Sequence, residues 1–288
     1  MKQLYKVLPI VLSVGFFGCD NSTPQGHIDN NSTADNKDNF VSKLPDTAPV
    51  VKVATTGTMP PFSFQDDYGN MQGIDIDSIR AIGEEQGFKV EFYKETWQNM
   101  FDSVESGSRD LAISGISYKT DRDEKYGLSK SYFFNPSAVM YAKNTLTING
   151  LNDLKGLHVA GMEGTKQVDQ VREMGGYSEL STTITTFLLF EDLMQGKVDA
   201  IVQDLPLLRY TAANHPDQKV VIVPYEDEEN PSAQQVILMA KGNTKLIKTV
   251  NEGITKLKDL GTFKKIEDKW LGAAEPATKN TTTNQQSN

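Results

Sequence analysis

The chain of 288 residues has little of two residue types that often carry structure or chemistry: it contains one cysteine, Cys19, and three histidines. A single cysteine cannot form an intramolecular disulfide, so the folded body must rely on its hydrophobic core. The histidines, His27, His158 and His215, lack ligand spacing with one another, with cysteine or with acidic clusters. No Ser-His-Asp pattern is recognisable either. We therefore expect neither a metal site nor another cofactor.

Long apolar runs are also missing, apart from a short one near the start of the chain. Val7 to Phe17 is apolar and follows Lys2 and Lys6; it is too short to span a bilayer and is typical of a secretory signal. Its end, Phe16-Phe17-Gly18-Cys19, resembles a bacterial lipobox, in which the cysteine after a small residue is lipidated and becomes the new N-terminus. The resemblance implies a signal peptide over residues 1–18 and a membrane-anchored lipoprotein carrying palmitate at Cys19. A plain signal with a chance cysteine is the alternative.

Negative charge prevails, which argues against nucleic acid as a partner. The formal net charge is -9, and no basic patch with interleaved aromatic residues appears. Two segments are polar and lack a helix or strand period, which is typical of disorder. They are a tether that starts at Cys19 and extends to residue 49, and a tail rich in Thr, Asn and Gln over residues 273–288. Residues 50–272 between them are enough for one large or two ordinary domains.

Short apolar runs alternate with helix-length segments through residues 50–272. A helix is predicted over Ile74–Gln86, because isoleucines recur there at the spacing of one helix face and Gly87 follows. A longer helix is predicted over Lys245–Leu260. Strands are predicted at Val51–Ala54, Lys89–Tyr93, Asp110–Ile116, Leu157–Gly161 and Ala200–Val202. This alternation predicts an α/β fold with mostly parallel sheets, in which ligands bind beyond the carboxyl ends of the strands.

Polar and aromatic side chains gather in short segments at the predicted ends of strands and helices. These segments are Pro61-Phe62-Ser63-Phe64 with Gly73-Ile74-Asp75-Ile76-Asp77, then Trp97, Ser114-Gly115-Ile116-Ser117 with Arg122, Gly164-Thr165 and Gln203-Asp204. In this order and spacing they resemble family 3 of the extracytoplasmic solute-binding proteins, which bind amino acids for ATP-binding-cassette (ABC) importers. The resemblance runs from about Val51 to Gly272 and includes the closing Gly261-Thr262-Phe263 and Lys269-Trp270-Leu271-Gly272.

The resemblance implies a two-lobed α/β fold of the periplasmic-binding-protein type II, or Venus flytrap, in which the chain crosses between the lobes twice. Lobe 1 is expected over residues 50–135 and 235–272, and lobe 2 over residues 136–234. A ligand held between the lobes stabilises the closed form, which docks on an inner-membrane ABC permease. The implied protein is a monomer that works outside the cytoplasm. Asp20 after Cys19 resembles the signal that keeps lipoproteins in the inner membrane.

The resemblance also implies which residues hold the carboxylate of the amino acid. Arg122 grips it with a planar fork of donors, a geometry that lysine does not reproduce. Ser117 adds a hydroxyl from the same strand end as Ser114. Thr165 lies where a helix begins, so its backbone N–H and its hydroxyl meet the same carboxylate.

Other implied residues hold the ammonium group and the side chain of the ligand. The Gly115 carbonyl and Asp204 accept hydrogen bonds from the ammonium, and pairing makes the buried charge of Asp204 tolerable. Trp97 offers a flat wall or a cation–π face. Many family members have an aromatic residue where this chain has Met59, so the opposite wall is a softer thioether.

Two further positions bear on the class of amino acid. Members that bind basic amino acids often have an acid at the position of Thr56, which cannot pair with a cationic side chain. Lys166 replaces a small residue: pointing inward it favours an acidic or amide side chain, and pointing outward it is an ordinary helix-start lysine. The resemblance therefore favours a polar amino acid, neutral or acidic rather than basic.

Three alternative functions come from different classes of protein. An enzyme on this fold, similar to cyclohexadienyl dehydratases, needs a general acid with a raised pKa in the pocket, for which Glu163 and Glu191 are candidates. A ligand-sensing regulatory lipoprotein is the second alternative. A structural lipoprotein is the third, and it gives Arg122 and Asp204 no reason to converge. We expect a binding protein rather than an enzyme.

Overall fold

The computed structural model of the protein describes residues 40–143 and 146–272. The predicted signal peptide, the lipid anchor at Cys19 and the predicted tail lie outside the described residues, so they stay predictions. Within the described part of the chain, no helix combines the length and apolarity that crossing a membrane requires. Residues 40–49, the end of the predicted tether, contact the body: Asp46 pairs with Lys89 at 3.1 Å, and Lys43 N donates to Glu84 at 3.1 Å.

Strands and helices alternate along the described chain. The strands are β1 Val50–Thr55, β2 Thr58–Met59, β3 Ser63–Gln65, β4 Met71–Gln72, β5 Lys89–Lys94, β6 Leu111–Ala112, β7 Tyr126–Leu128, β8 Phe133–Phe134, β9 Ser137–Ala142, β10 His158–Met162, β11 Glu179–Thr183, β12 Ala200–Asp204, β13 Val220–Pro224, β14 Gln234–Gln235 and β15 Leu238–Ala240. The α-helices are α1 Ile74–Gln86, α2 Trp97–Glu105, α3 Thr120–Lys125, α4 Lys166–Met174, α5 Thr186–Met194, α6 Leu205–Asn214, α7 Thr244–Asp259 and α8 Thr262–Leu271.

The first large sheet has the strand order β5-β1-β6-β15-β7 and carries helices on both faces. Successive side chains of a strand point to opposite faces. Val53 of β1 therefore packs in the cluster that contains Ile79 of α1, whereas Ala54 packs in the cluster that contains Met100 of α2. A three-stranded sheet of β2, β3 and β4 lies beside α1.

The second large sheet has the order β11-β10-β12-β9-β13. β10 runs parallel to β11 and β12, but β9 runs antiparallel to β12 and β13. In the first sheet, β15 likewise runs antiparallel to β6 and β7. The prediction of mostly parallel sheets is therefore wrong, because the strand that enters each sheet from the other one, β9 or β15, runs against its neighbours.

The chain passes between the two large sheets twice, and the two passages pair with each other. Phe133 of β8 lies opposite Gln235 of β14, and Phe134 lies opposite Gln234. We call residues 133–135 and 233–235 the ribbon. The first sheet with α1–α3, α7 and α8 is lobe 1, and the second sheet with α4–α6 is lobe 2. This architecture confirms the predicted two-lobed α/β fold with two crossings; the residue boundaries predicted for the lobes stay predictions.

Two local predictions show how burial and chain direction shape the elements. The helix over Ile74–Gln86 is confirmed: its isoleucines are buried, and Gly87 ends it in the left-handed conformation (φ 80°) while its N–H donates to Gly83 O at 2.8 Å. The strand predicted over Asp110–Ile116 is shorter, because only Leu111–Ala112 pairs as a strand. The buried residues that follow leave the sheet and turn at Gly115, where φ is 64°.

Gly73 supports a specific stability prediction, because its backbone conformation (φ 125°, ψ 177°) is one that other residues rarely adopt. A Cβ there would also lie 2.2 Å from the Phe62 carbonyl oxygen. We expect Gly73→Ala to lower the free energy of unfolding by about 3–5 kcal/mol, because strain and a backbone clash add. Urea denaturation measures this change.

Gly69→Ala is the matched control. Gly69 also has a positive φ (83°), but a Cβ there meets nothing within 4 Å. We expect this variant to lose only about 1 kcal/mol through strain. Equal losses for the two variants would contradict the role of the Phe62 contact.

Candidate functional site

The structure brings most of the residues predicted for the site to one small cavity between the lobes. Its lining consists of Met59, Trp97, Gly115, Ser117, Arg122, Thr165, Lys166, Gln167 and Asp204. The cavity has a volume of about 10 Å³, which is room for roughly one water molecule. A free amino acid does not fit this space, so the lobes must lie farther apart than this when they hold one.

The lining residues lie where strands end and helices begin. In lobe 1, Gly115 and Ser117 follow β6, and Trp97 is the first residue of α2. In lobe 2, Thr165 is the N-cap residue of α4, which follows β10, and Asp204 ends β12 and is the N-cap residue of α6. Neither cap side chain bonds a backbone N–H of its helix. The side chains of Thr165 and Asp204 are therefore not used for capping, and the first turn of α4 faces the cavity.

Arg122 is held in the cavity wall by backbone acceptors from both lobes. Its side chain is buried, and it donates from Nη1 to Ser117 O at 2.8 Å and from Nη2 to Gly164 O at 3.0 Å. The guanidinium also lies 5.6 Å from the ring centroid of Trp97 and 5.3 Å from that of Phe101. Burial lowers the pKa of Arg122 to about 10, against the opposing effect of nearby acids. Arg122 therefore keeps its positive charge at neutral pH.

Asp204 provides the negative group on the opposite side of the cavity. It is buried, and its Oδ1 accepts a hydrogen bond from Gln167 Nε2 at 2.7 Å. Burial raises the pKa of Asp204 to about 6, although the Lys166 charge and the amides of Asn135 and Gln167 lower it. At neutral pH the carboxylate is therefore ionised, but it titrates close to that range.

Gln167 is a lining residue that sequence reasoning missed. It lies in the first turn of α4, two residues after Thr165, and its side chain is fully buried although it is polar. Its amide donates to one oxygen of the Asp204 carboxylate and orients that group. The available signal was its position directly after Gly164-Thr165 at a helix start.

Lys166 does not offer its charge to a ligand, although it was predicted to bind one. Its ammonium donates to Glu226 Oε2 at 2.7 Å, to Ser232 O at 2.7 Å and to Asn135 O at 3.0 Å. The side chains of Lys166 and Glu226 are 3% and 2% exposed, so the ion pair is buried. The sequence left open whether Lys166 points inward or outward; in the structure its ammonium is directed to three acceptors near the ribbon.

Two predicted hydroxyl donors also have partners within the protein. Ser114 Oγ contacts Thr56 Oγ1 at 2.7 Å and Met59 Sδ at 3.8 Å, so its side chain lies behind the cavity wall. Thr165 Oγ1 donates to Met162 O at 2.7 Å. The Thr165 hydroxyl can therefore accept a hydrogen bond from a ligand, and the donors that remain at this helix start are backbone N–H groups.

Asp75 supports the cavity from beneath. It is fully buried, its Oδ2 accepts from Gly115 N at 2.6 Å, and its Oδ1 accepts from Tyr132 Oη at 2.6 Å. Burial raises the pKa of Asp75 to about 7; the two hydrogen bonds lower it, and the Asp204 charge raises it further. Asp75 thus links the Gly115 turn, which carries part of the site, to Tyr132, which lies just before the ribbon.

Further contacts join the lobes around the cavity. Lys119 pairs with Asp169 of α4 at 2.6 Å, and the rings of Phe64 and Tyr210 lie 6.0 Å apart. The Trp97 indole packs against Gly164, where a Cβ would lie 3.3 Å from Nε1. These contacts, together with Arg122 and Gly164, hold the lobes against each other.

The two glutamates that the enzyme alternative proposed as general acids lie away from the cavity. Glu163 pairs with Arg172 at 3.2 Å on the surface, and Glu191 accepts from Gln195 at 3.3 Å; neither lines the cavity. In residues 40–143 and 146–272, no group of three or more His, Cys, Asp or Glu side chains could hold a metal ion.

Comparison with known proteins agrees with this geometry. Residues 51–273 match the family model of bacterial extracellular solute-binding proteins, family 3. The L-cystine-binding protein TcyJ of Escherichia coli K12 is 28% identical over 222 residues, which are 77% of this chain and 82% of that protein. The solved structure of an ancestral arginine-binding protein bound to glutamine is 30% identical in sequence and superimposes with a TM-score of 0.71. The match covers 78% of this chain and 98% of that chain. The ancestral amino acid-binding protein AncCDT-1, a precursor of cyclohexadienyl dehydratase, is 29% identical, with a TM-score of 0.69, 77% of this chain and 95% of that chain covered.

The buried carboxyl of Asp75 leads to a prediction about pH and stability. Its pKa is raised from 3.8 to about 7 in the folded protein, so the folded state binds more protons than the unfolded state between these values. Its contribution to stability is therefore largest at low pH and is lost as the pH rises toward 7. Asp75→Asn removes this dependence while keeping a side chain of similar shape.

We compare the free energies of unfolding of Asp75→Asn and of the parent at each pH. Between pH 5 and pH 8 we expect the difference to change in favour of the variant, by up to about 1.4 kcal/mol per pH unit. Urea denaturation of both proteins across this range measures the difference. Parallel stability curves would contradict a raised pKa at Asp75.

Proposed function

The chain belongs to family 3 of the bacterial extracellular solute-binding proteins, and we propose that it captures a neutral L-amino acid between its lobes and delivers it to an ABC permease. One observation carries the proposal: Arg122 from lobe 1 and Asp204 from lobe 2, of opposite charge, face the same buried cavity. Each charge is costly to bury alone. A ligand with one carboxylate and one ammonium balances both.

The geometry supports a specific placement of the zwitterion. The ligand carboxylate meets the Arg122 guanidinium, which already has a bidentate arrangement toward two carbonyl oxygens. The backbone N–H groups at the start of α4 reach the same carboxylate. The ligand ammonium meets the Asp204 carboxylate, which Gln167 orients. A ligand held this way touches both lobes and stabilises a form in which the lobes close around it.

The charges around the cavity favour a neutral ligand side chain. Among the described lining residues, the charged ones are Arg122, Asp204 and Lys166, and Glu226 neutralises Lys166. The zwitterion balances the first two, so an additional charge on the ligand side chain would have no partner there. Trp97 and Met59 supply the less polar walls, and the methionine adapts to different shapes.

Entry of the ligand requires the lobes to open. The cavity of about 10 Å³ holds no more than roughly one water molecule, so the contacts of Arg122 with Gly164 and of Lys119 with Asp169 must separate first. Hinge opening of two lobes about their crossings is the motion that this arrangement allows.

The lipid anchor at Cys19, the inner-membrane location and the monomeric state belong to the same proposal.

Thermal unfolding of the purified protein with each of the twenty amino acids tests the proposed function. A ligand at about 100 times its Kd stabilises the folded state by about 2.7 kcal/mol, a shift of several degrees in Tm. We expect shifts with neutral amino acids and none with lysine, arginine, aspartate or glutamate. Arg122→Lys should weaken binding about 100-fold or more, because a buried carboxylate loses its bidentate partner.

Arg172→Lys is the matched control, because Arg172 is a half-exposed arginine of α4 that pairs with Glu163 outside the cavity. The affinity of the Arg172→Lys variant for the amino acid should equal that of the parent. A shift with acidic or basic amino acids alone would contradict the neutral class. Turnover of a cyclic acid, with no shift from any amino acid, would favour the enzyme alternative.

The affinity should also depend on pH through Asp204, whose pKa in the ligand-free protein is about 6. The ligand ammonium needs the ionised carboxylate. We therefore expect an affinity that is constant above about pH 7 and falls up to about tenfold per pH unit well below pH 6. Calorimetry at pH 5.5 in two buffers should show proton release on binding. Affinity that is unchanged down to pH 5 would exclude Asp204 as the partner of the ammonium.

A further inference from the structure

The ribbon between the lobes has one face that is fully buried. Phe133 lies opposite Gln235, and Asn135 N donates to Ala233 O at 2.7 Å, so these four residues alternate with Phe134 and Gln234 along the two strands. Asn135, Ala233 and Gln235 are 0% exposed, whereas Phe134 and Gln234 are partly exposed. Asn135 and Gln235 are diagonal neighbours on the buried face, within reach of each other's side chains.

The side-chain amides of this face make no hydrogen bond that meets the full geometric criteria among the described residues, although the Asn135 amide interacts with the Asp204 carboxyl. This holds for Nδ2 and Oδ1 of Asn135 and for Nε2 and Oε1 of Gln235. Burying an amide without hydrogen bonds is unfavourable, and most buried polar side chains in native proteins are paired. The Gln235 amide, and the part of the Asn135 amide that Asp204 does not satisfy, are therefore free to bind another polar group.

Both amides adjoin the cavity. Gln235 Nε2 lies 3.3 Å from the point that a Cβ on Gly115 would occupy, and the backbone of Gln235 pairs with that of Ser117. Asn135 lies beside Asp204, whose carboxyl it affects. Because Gly115, Ser117 and Asp204 line the cavity, the buried face of the ribbon lies directly behind part of its lining.

We propose that Asn135 and Gln235 form a subsite beside the cavity that recognises an uncharged polar group at the end of the ligand side chain. This inference rests on the proposed function and narrows it. Two amides present donors and acceptors together, and they complement a group that also has both, such as a carboxamide or a hydroxyl. An aliphatic side chain would leave the amides unpaired, and a charged one would lack a counter-ion.

Pairs of amino acids with similar shape but different polarity provide the probe. The pairs are glutamine and methionine, asparagine and leucine, and threonine and valine. For the parent protein, we expect the polar member of at least one pair to bind about 100-fold more tightly than the apolar member, because apolar ligands leave buried amides unpaired. Isothermal titration calorimetry measures this ratio.

Gln235→Met removes one amide and keeps the length of the side chain. We expect the polar-to-apolar ratio to fall at least tenfold. We also expect the Tm of the ligand-free variant to rise by about 2–4 °C, because an unpaired buried amide is replaced by an apolar group. A residue with a purely structural role would not combine higher stability with lost selectivity. Asn135→Leu, at the second amide, should reduce the same ratio and provides an independent variant.

Gln234→Met is the matched control on the same strand. Its amide faces away from the buried side, where it accepts from Ser131 Oγ at 2.7 Å and donates to Glu228 O at 3.0 Å. This variant should keep the selectivity of the parent and gain no stability.

The outcomes separate this inference from the proposed function. If amino acids bind but polar and apolar members bind equally, or if Gln235→Met keeps the parent's ratio, the proposed subsite is wrong and the binding function stands. If none of the twenty amino acids binds, the proposed function fails and this inference fails with it. A structure with ligand in which the two amides contact only a water molecule would also overturn the subsite.

Discussion

The cost of burying charge is the constraint on which this structure depends. Arg122 and Asp204 come from different lobes and are both buried around a cavity of about 10 Å³. Neither forms an ion pair with the other, so each is stabilised by hydrogen bonds: Arg122 by two carbonyl oxygens and Asp204 by Gln167. Such partial compensation leaves a site that a zwitterion completes.

The groups around this pair have a second task, which is to place the lobes relative to each other. Glu226 accepts hydrogen bonds from Lys166, Ser137 N and Ser232 Oγ, and Lys166 in turn donates to carbonyl oxygens of Asn135 and Ser232. This buried network fastens both crossings to lobe 2. On the side of lobe 1, Asp75 fastens the Gly115 turn to Tyr132. The short ribbon that joins the lobes lies between these two anchor points.

Several features could be predicted from the sequence because local rules determine them. The helix over Ile74–Gln86 followed from isoleucine spacing and Gly87. The two-lobed fold did not follow from local rules; it was implied by the resemblance of the motifs to a known family. The strand after Asp110 was predicted too long, because burial continues after the chain has left the sheet. The mixed strand directions could not be seen, since apolar runs do not record direction. Gln167, Asn135 and Gln235 were missed because isolated amides carry no pattern; only their burial distinguishes them.

The sequence by itself determined the class of this protein, because its motifs occur in the order that is typical of the family. These motifs lie at the ends of strands and helices, where parallel strands of each sheet present polar groups such as a guanidinium and a carboxylate. The tertiary structure decided the direction of individual side chains. Lys166 follows Thr165 in the chain, and the sequence left its orientation open, but Glu226, sixty positions away, turns its ammonium toward the ribbon. The physical reason is that a buried charge takes its orientation from whichever partner lies within hydrogen-bond distance, and that distance is set by folding and not by separation along the chain.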